Sequence, residues 1–75
     1  MRSHWYPMMF DPETDRWVVK IRGNTYGLHC GDCFEIRIGD QGVPARLELG
    51  RSWFVEMQKI RFDLRLQDIY QIRLD

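Results

Sequence analysis

From residue 33 to residue 38 every second side chain is apolar, with Phe34, Ile36 and Ile38 set between Cys33, Glu35 and Arg37. After Gly39-Asp40-Gln41-Gly42 the same period resumes, and Val43, Ala45, Leu47 and Leu49 alternate with Pro44, Arg46 and Glu48. A period of two puts successive side chains on opposite faces of a strand, so this stretch reads as a hairpin with one buried face. Glycine and aspartate tolerate positive φ, which suits 39–42 to the connecting loop. Pro44 has no N–H to give a ladder and belongs at a strand start, a sheet edge or a bulge. Ahead of the hairpin, Gly31-Asp32 forms a tight turn that feeds it from Leu28.

The same period recurs along the chain. Residues 8–10 suit a short first strand and 11–15 a turn; Trp17, Val19 and Ile21 then face inward, with Val18, Lys20 and Arg22 outward. Gly23-Asn24 closes a hairpin onto 25–29, with Tyr26 and Leu28 inward. Beyond Gly50-Arg51-Ser52, the inward set is Trp53, Val55 and Met57, then Ile60, Phe62, Leu64 and Leu66, and finally Tyr70, Ile72 and Leu74. No window carries a helical stripe, although 65–69 suits one turn of 3₁₀ helix. The expected fold is all-β: a small SH3-like or OB-like, strongly bent antiparallel barrel of about six to eight short strands. Residues 1–75 form one domain, and 1–7 are a lead-in whose Trp5 and Tyr6 are expected to cap the open end of the barrel.

A chain of 75 residues buries only about 60% of its unfolded surface, so its three tryptophans and other aromatics must supply much of the core. Eleven basic and eleven acidic residues cancel, which argues against a polyanion binder that works through bulk charge. No apolar run is long enough to span a bilayer and no signal-peptide core is present, so a cytoplasmic protein with no membrane partner is expected. In a reducing compartment Cys30 and Cys33 are thiols, with Cys30 read as a small core residue and Cys33 near the surface.

The zero net charge hides a pattern. Outward strand positions hold eight basic residues against four acidic ones, whereas turns and ends hold seven acidic against three basic. Arginine outnumbers lysine nine to two, and arginine pairs bidentately with carboxylate or phosphate and stacks on aromatic rings. The expected binding face is therefore Arg37, Arg46, Phe54, Arg61 and Arg65. The competing reading is that arginine and glutamate on neighbouring strands simply pair with one another, at about 0.2–1 kcal/mol per pair.

No catalytic constellation emerges. Ser3, Thr14 and Ser52 sit in lead-in or turn contexts, glycines never form a phosphate-cradling loop, and His4 and His29 lack an accompanying nucleophile. The chain is read as a non-enzyme with no cofactor. Cys30-Gly31-Asp32-Cys33 has the spacing of half a zinc site, and His29 is the nearest further ligand. A complete site would need a second subunit, so no metal is assigned, and a zinc-bridged dimer stands as one alternative function.

Three runs carry a resemblance: Phe10-Asp11-Pro12-Glu13-Thr14-Asp15-Arg16-Trp17-Val18, Leu28-His29-Cys30-Gly31-Asp32-Cys33-Phe34-Glu35-Ile36 and Val43-Pro44-Ala45-Arg46-Leu47-Glu48-Leu49, joined later by Trp53-Phe54-Val55. They resemble a family of short proteins of unknown function from Gram-positive bacteria, often on conjugative elements and phages. The resemblance implies a mobile-element accessory protein that binds and modulates or inhibits a host or defence protein, of the anti-CRISPR type. The expected partner is a protein, with a nucleic-acid-binding small barrel as the rival, and the chain itself is expected to be a monomer or weak homodimer.

Overall fold

The computed structural model describes residues 4–74, so Arg2, Ser3 and Asp75 of the sequence reading lie outside the described residues. Eight strands form: β1 (Tyr6–Asp11), β2 (Arg16–Ile21), β3 (Asn24–Gly27), β4 (Cys33–Ile38), β5 (Gln41–Leu49), β6 (Trp53–Met57), β7 (Ile60–Asp63) and β8 (Tyr70–Arg73). They make one antiparallel sheet in the order β3-β2-β1-β8-β4-β5-β6-β7. Two meanders, β1 to β3 and β4 to β7, are thus joined by the last strand, which enters between their first members. The seam is short: β8 meets β1 through Tyr6, Pro7 and Met8 and meets β4 through Glu35 and Ile36.

Residues from both meanders share one core. Met8, Trp17, Val19, Ile36, Leu47, Val55 and Ile72 are fully enclosed, and Leu28, Phe34, Ala45 and Leu64 are nearly so. A flat single layer leaves both faces wet, so enclosure of Val19 near one end and Val55 near the other requires the sheet to bend over its own inner face. This is the all-β, strongly bent antiparallel architecture expected from the alternation. Its terminal strands, β3 and β7, do not pair with each other, so the sheet remains open. Trp17 anchors the interior, with Phe10 and Tyr70 at centroid distances of 5.7 Å each, in the edge-on and tilted arrangements that aromatic quadrupoles favour.

Several inward assignments change at the strand ends. Tyr26, Ile38, Leu49 and Ile60 lie on the inner side by register but are between 42% and 64% exposed, because each sits at a strand tip or edge where the other meander does not reach. The alternation read through Leu66 stops earlier. β7 ends at Asp63, Leu64 still turns inward, and a hydrogen-bonded turn from Arg65 O to Asp68 N carries Leu66 to the surface at 51% exposure. Cys30 is exposed instead of core, because it occupies the 29–32 turn and not a strand. The β4–β5 loop is only Gly39-Asp40; Gly42 lies inside β5, opposite Arg37. Pro44 is paired with Glu35 on the β4 side, while β6 joins β5 only from Arg46 onward, so its missing N–H falls on a locally unpaired margin.

Candidate functional site

Strand order decides which of the five expected binding residues meet. Arg46 on β5 stands opposite Glu56 on β6, Glu56 stands opposite Arg61 on β7, and Phe54 stands opposite Glu48 and Asp63. Arg46, Phe54 and Arg61 therefore share one outer patch. Arg37 is four residues along β4 from Cys33, the partner of Arg46, which separates the two by roughly 13 Å of strand. Arg65 lies past the end of β7, in the loop that leads to β8.

The arginines of this patch already hold carboxylates. Arg46 bonds Glu48 through Nε at 2.7 Å and donates from Nη2 to Glu56. The bond to Glu56, followed by the charges of Glu56 and Glu48, raises the Arg46 guanidinium above its ordinary pKa. Arg61 donates from Nε to Asp63 at 2.9 Å and stacks with its guanidinium carbon 4.0 Å from the Phe54 ring centroid. Arg65 faces Asp68 at 3.6 Å, and Arg37 donates to the Gly39 carbonyl at 3.0 Å. Of these pairs, Arg46–Glu56 joins neighbouring strands as the competing reading expected, whereas Arg46–Glu48 and Arg61–Asp63 each lie within one strand.

A second cluster on the outer face was not foreseen. Trp5 does not cap an open barrel end; its ring lies on the outer side with the Arg73 guanidinium 4.3 Å from its centroid and that of Arg37 at 6.0 Å. Arg73 donates to Glu35 from Nε at 3.0 Å, with both side chains at most a quarter exposed. The group stands over Gly42, where a Cβ would come within 2.5 Å of Glu35 Oε1, 2.7 Å of Arg73 Nη2 and 3.0 Å of Trp5 Cη2. Glycine is needed there for space, not for turn geometry.

The cysteine turn is ordered by its backbone. Asp32 N donates to His29 O at 3.0 Å, Gly31 adopts φ +93°, and His29 N donates to Asp32 Oδ2 at 2.8 Å. Two further bonds tie it to β5, Gly31 N to Leu47 O at 2.7 Å and Leu47 N to Asp32 O at 2.9 Å. Both thiols are exposed and unbridged, and Cys33 Sγ makes one weak contact, donating to Gly31 O at 3.6 Å. His29 Nδ1 is turned toward Asp32 at 3.8 Å, and His4 lies beside Tyr6 at a ring distance of 6.1 Å. Among the described residues no three metal-ligating side chains of one chain converge.

At the end of the bent sheet lies an apolar hollow that the alternation had counted as core. Two adjoining cavities of about 290 and 300 Å³ share Asp15, Leu49 and Trp53; Phe10, Arg51, Ser52, Leu64 and Leu66 complete one, and Arg16, Leu28, His29 and Cys30 the other. The walls come from chain that continues each unpaired edge, where Leu28 N bonds Trp17 O and Leu64 N bonds Trp53 O. Leu49 and Leu66 are each about half exposed at the rim, with Arg16 and Arg51 beside them. Both leucines sit next to turn signals, the one hint in the sequence that their strands end before the core covers them.

The fold defines a small all-β protein built on one bent antiparallel sheet. By sequence, the chain belongs to the DUF5348 family, a domain of unknown function, which matches residues 7–74. The resemblance to an uncharacterised family is borne out to that extent. A crystal structure of a Ruminococcus gnavus protein from a structural genomics consortium is similar, with a TM-score of 0.77 and 32% identity over 95% of this chain and 100% of that one. No curated protein matches. Among the described residues no helix is long and apolar enough to cross a membrane.

Proposed function

We propose that the protein is a non-enzymatic binding module whose partner is another protein, and that the apolar hollow at the sheet end receives a short apolar segment of that partner. The observation that carries this reading is the pair of half-exposed leucines, Leu49 and Leu66, flanking a concave floor of Phe10, Trp53 and Leu64. Apolar surface left at a concavity with a mixed-charge rim is how protein interaction sites differ from the rest of a soluble surface. The arginine patch favours nucleic acid less, since phosphate would have to displace carboxylates that already hold Arg46 and Arg61. The finer reading, a cytoplasmic accessory of a mobile element that inhibits a host or defence protein, follows from the family resemblance and names the class of target.

The test is affinity capture from a lysate of the native host, with and without nuclease, using the natural chain, Leu49→Gln/Leu66→Gln and Arg46→Gln/Arg61→Gln. A protein retained after nuclease and lost only in the leucine variant is the expected result. Loss in the arginine variant alone moves the contact to the β5–β6–β7 face. Recovery that disappears with nuclease replaces the reading with a nucleic-acid module, whose affinity must fall steeply with salt.

A further inference from the structure

We propose that the segment received by the hollow is an acidic one, with two apolar side chains bracketed by a carboxylate at each outer flank. The proposal rests on the reading of the hollow as the partner site and names the chemistry of what enters it. The hollow consists of two seats with Leu49 and Trp53 as their common wall, so a single segment laid across it presents an apolar side chain to each. Each seat also carries one arginine, Arg51 with Leu66 in the first and Arg16 with Leu28 in the second. These two differ from the arginines elsewhere on the surface. Arg46, Arg61, Arg65 and Arg73 are each held by a carboxylate, whereas among the described residues no carboxylate lies within ion-pairing distance of Arg16 or Arg51.

The acid of the hollow decides where the partner's charges go. Asp15, at φ 55° in the turn between β1 and β2, borders both seats and so stands where they meet. A partner carboxylate placed between the two apolar anchors would face Asp15 and be repelled. Carboxylates outside the anchors meet Arg16 and Arg51 instead, and a guanidinium takes a carboxylate through two parallel N–H bonds. Two guanidiniums against one carboxylate give the rim a positive balance, which favours an acidic partner over a basic one. Arg16 is also partly positioned beforehand. Its stem lies close over Gly27, where an added Cβ would stand 3.0 Å from Arg16 Cδ, so less side-chain freedom is lost on pairing.

The test is selection with the full chain from random short peptides displayed on phage, followed by synthesis of the enriched peptides and titration by fluorescence anisotropy. The expected peptides carry two apolar residues bracketed by aspartate or glutamate. Their affinity should fall about fivefold with each of Arg16→Gln and Arg51→Gln, the upper end for exposed ion pairs. Asp15→Asn removes the opposing charge with a side chain that tolerates the left-handed turn conformation, and should tighten binding. Arg16→Glu/Arg51→Glu, with its fold checked by far-ultraviolet spectrum and thermal midpoint, should select lysine or arginine at the flanks. Bound peptide should slow alkylation of Cys30, which lines the hollow, and not of Cys33, which stands in β4 beside Arg46 and Glu56. Enriched peptides that need Leu49 and Leu66 but carry no flanking acids overturn the acidic motif alone. Peptides indifferent to Leu49→Gln/Leu66→Gln, protection of Cys33 in place of Cys30, or no enrichment overturn it together with the hollow.

Discussion

A Cβ at position 42 would press on a carboxylate oxygen, a guanidinium nitrogen and an indole carbon together. The carboxylate and guanidinium are ends of flexible side chains, so they can swing aside, but only by opening the Glu35–Arg73 pair and unstacking Trp5. Gly42→Ala is therefore expected to cost about 1–2 kcal/mol in urea unfolding, the range of modest overpacking. In an Arg73→Met background the penalty should shrink, because the pair it disrupts is already gone; an equal penalty in both backgrounds would place the strain in the backbone instead. The residue scale is where the sequence was least informative. Gly42 reads like any loop glycine and Cys30 like a small apolar one, since composition does not tell which neighbours a position will meet.

At the scale of elements, alternation located all eight strands, because a pleated strand repeats every two residues wherever it lies in the fold. It misjudged their ends. Leu49, Ile60 and Leu66 continue the apolar rhythm past the point where another strand covers them, and a periodicity count has no term for what lies across the core. Turn chemistry tells a similar story in the β2–β3 hairpin, where Arg22 and Gly23 both take positive φ, at 52° and 84°. That is the signature of a two-residue type I′ turn, and arginine pays a steric penalty that asparagine largely avoids. Arg22→Asn should raise stability by about 0.5–1 kcal/mol, seen as a higher urea midpoint with an unchanged slope. An unchanged midpoint would mean that the turn relaxes around arginine without strain.

For the whole molecule, the enclosed core rests heavily on Trp17, which has zero exposure and touches the aromatic rings of both Phe10 and Tyr70. Removing a fully buried tryptophan costs about 3–5 kcal/mol, comparable to the entire stability of many small domains. Trp17→Ala is expected to lose the cooperative thermal transition or to lower its midpoint sharply. The Leu49→Gln/Leu66→Gln chain, altered only at half-exposed rim positions, should stay within about 0.5 kcal/mol of the natural protein. That contrast separates loss of partner capture from loss of fold.

Period-two patterning, short turn spacing and the absence of any helical stripe were enough to determine an all-β chain with one buried face, because those signals depend only on neighbours in the sequence. The patterning also supplied the list of outward arginines, of which Arg46 and Arg61 proved to share a patch while Arg37 and Arg65 stand apart. What the tertiary structure alone decided was the insertion of β8 between β1 and β4, the stacking of Trp5 on Arg73, and the pairing of arginines with carboxylates. It also decided the opening of an apolar hollow between the unpaired sheet ends. Apart from the local pairs Arg46–Glu48, Arg61–Asp63 and Arg65–Asp68, each of these depends on contacts between residues far apart in the chain, and the backbone period that marks a strand carries no record of which strand will lie beside it.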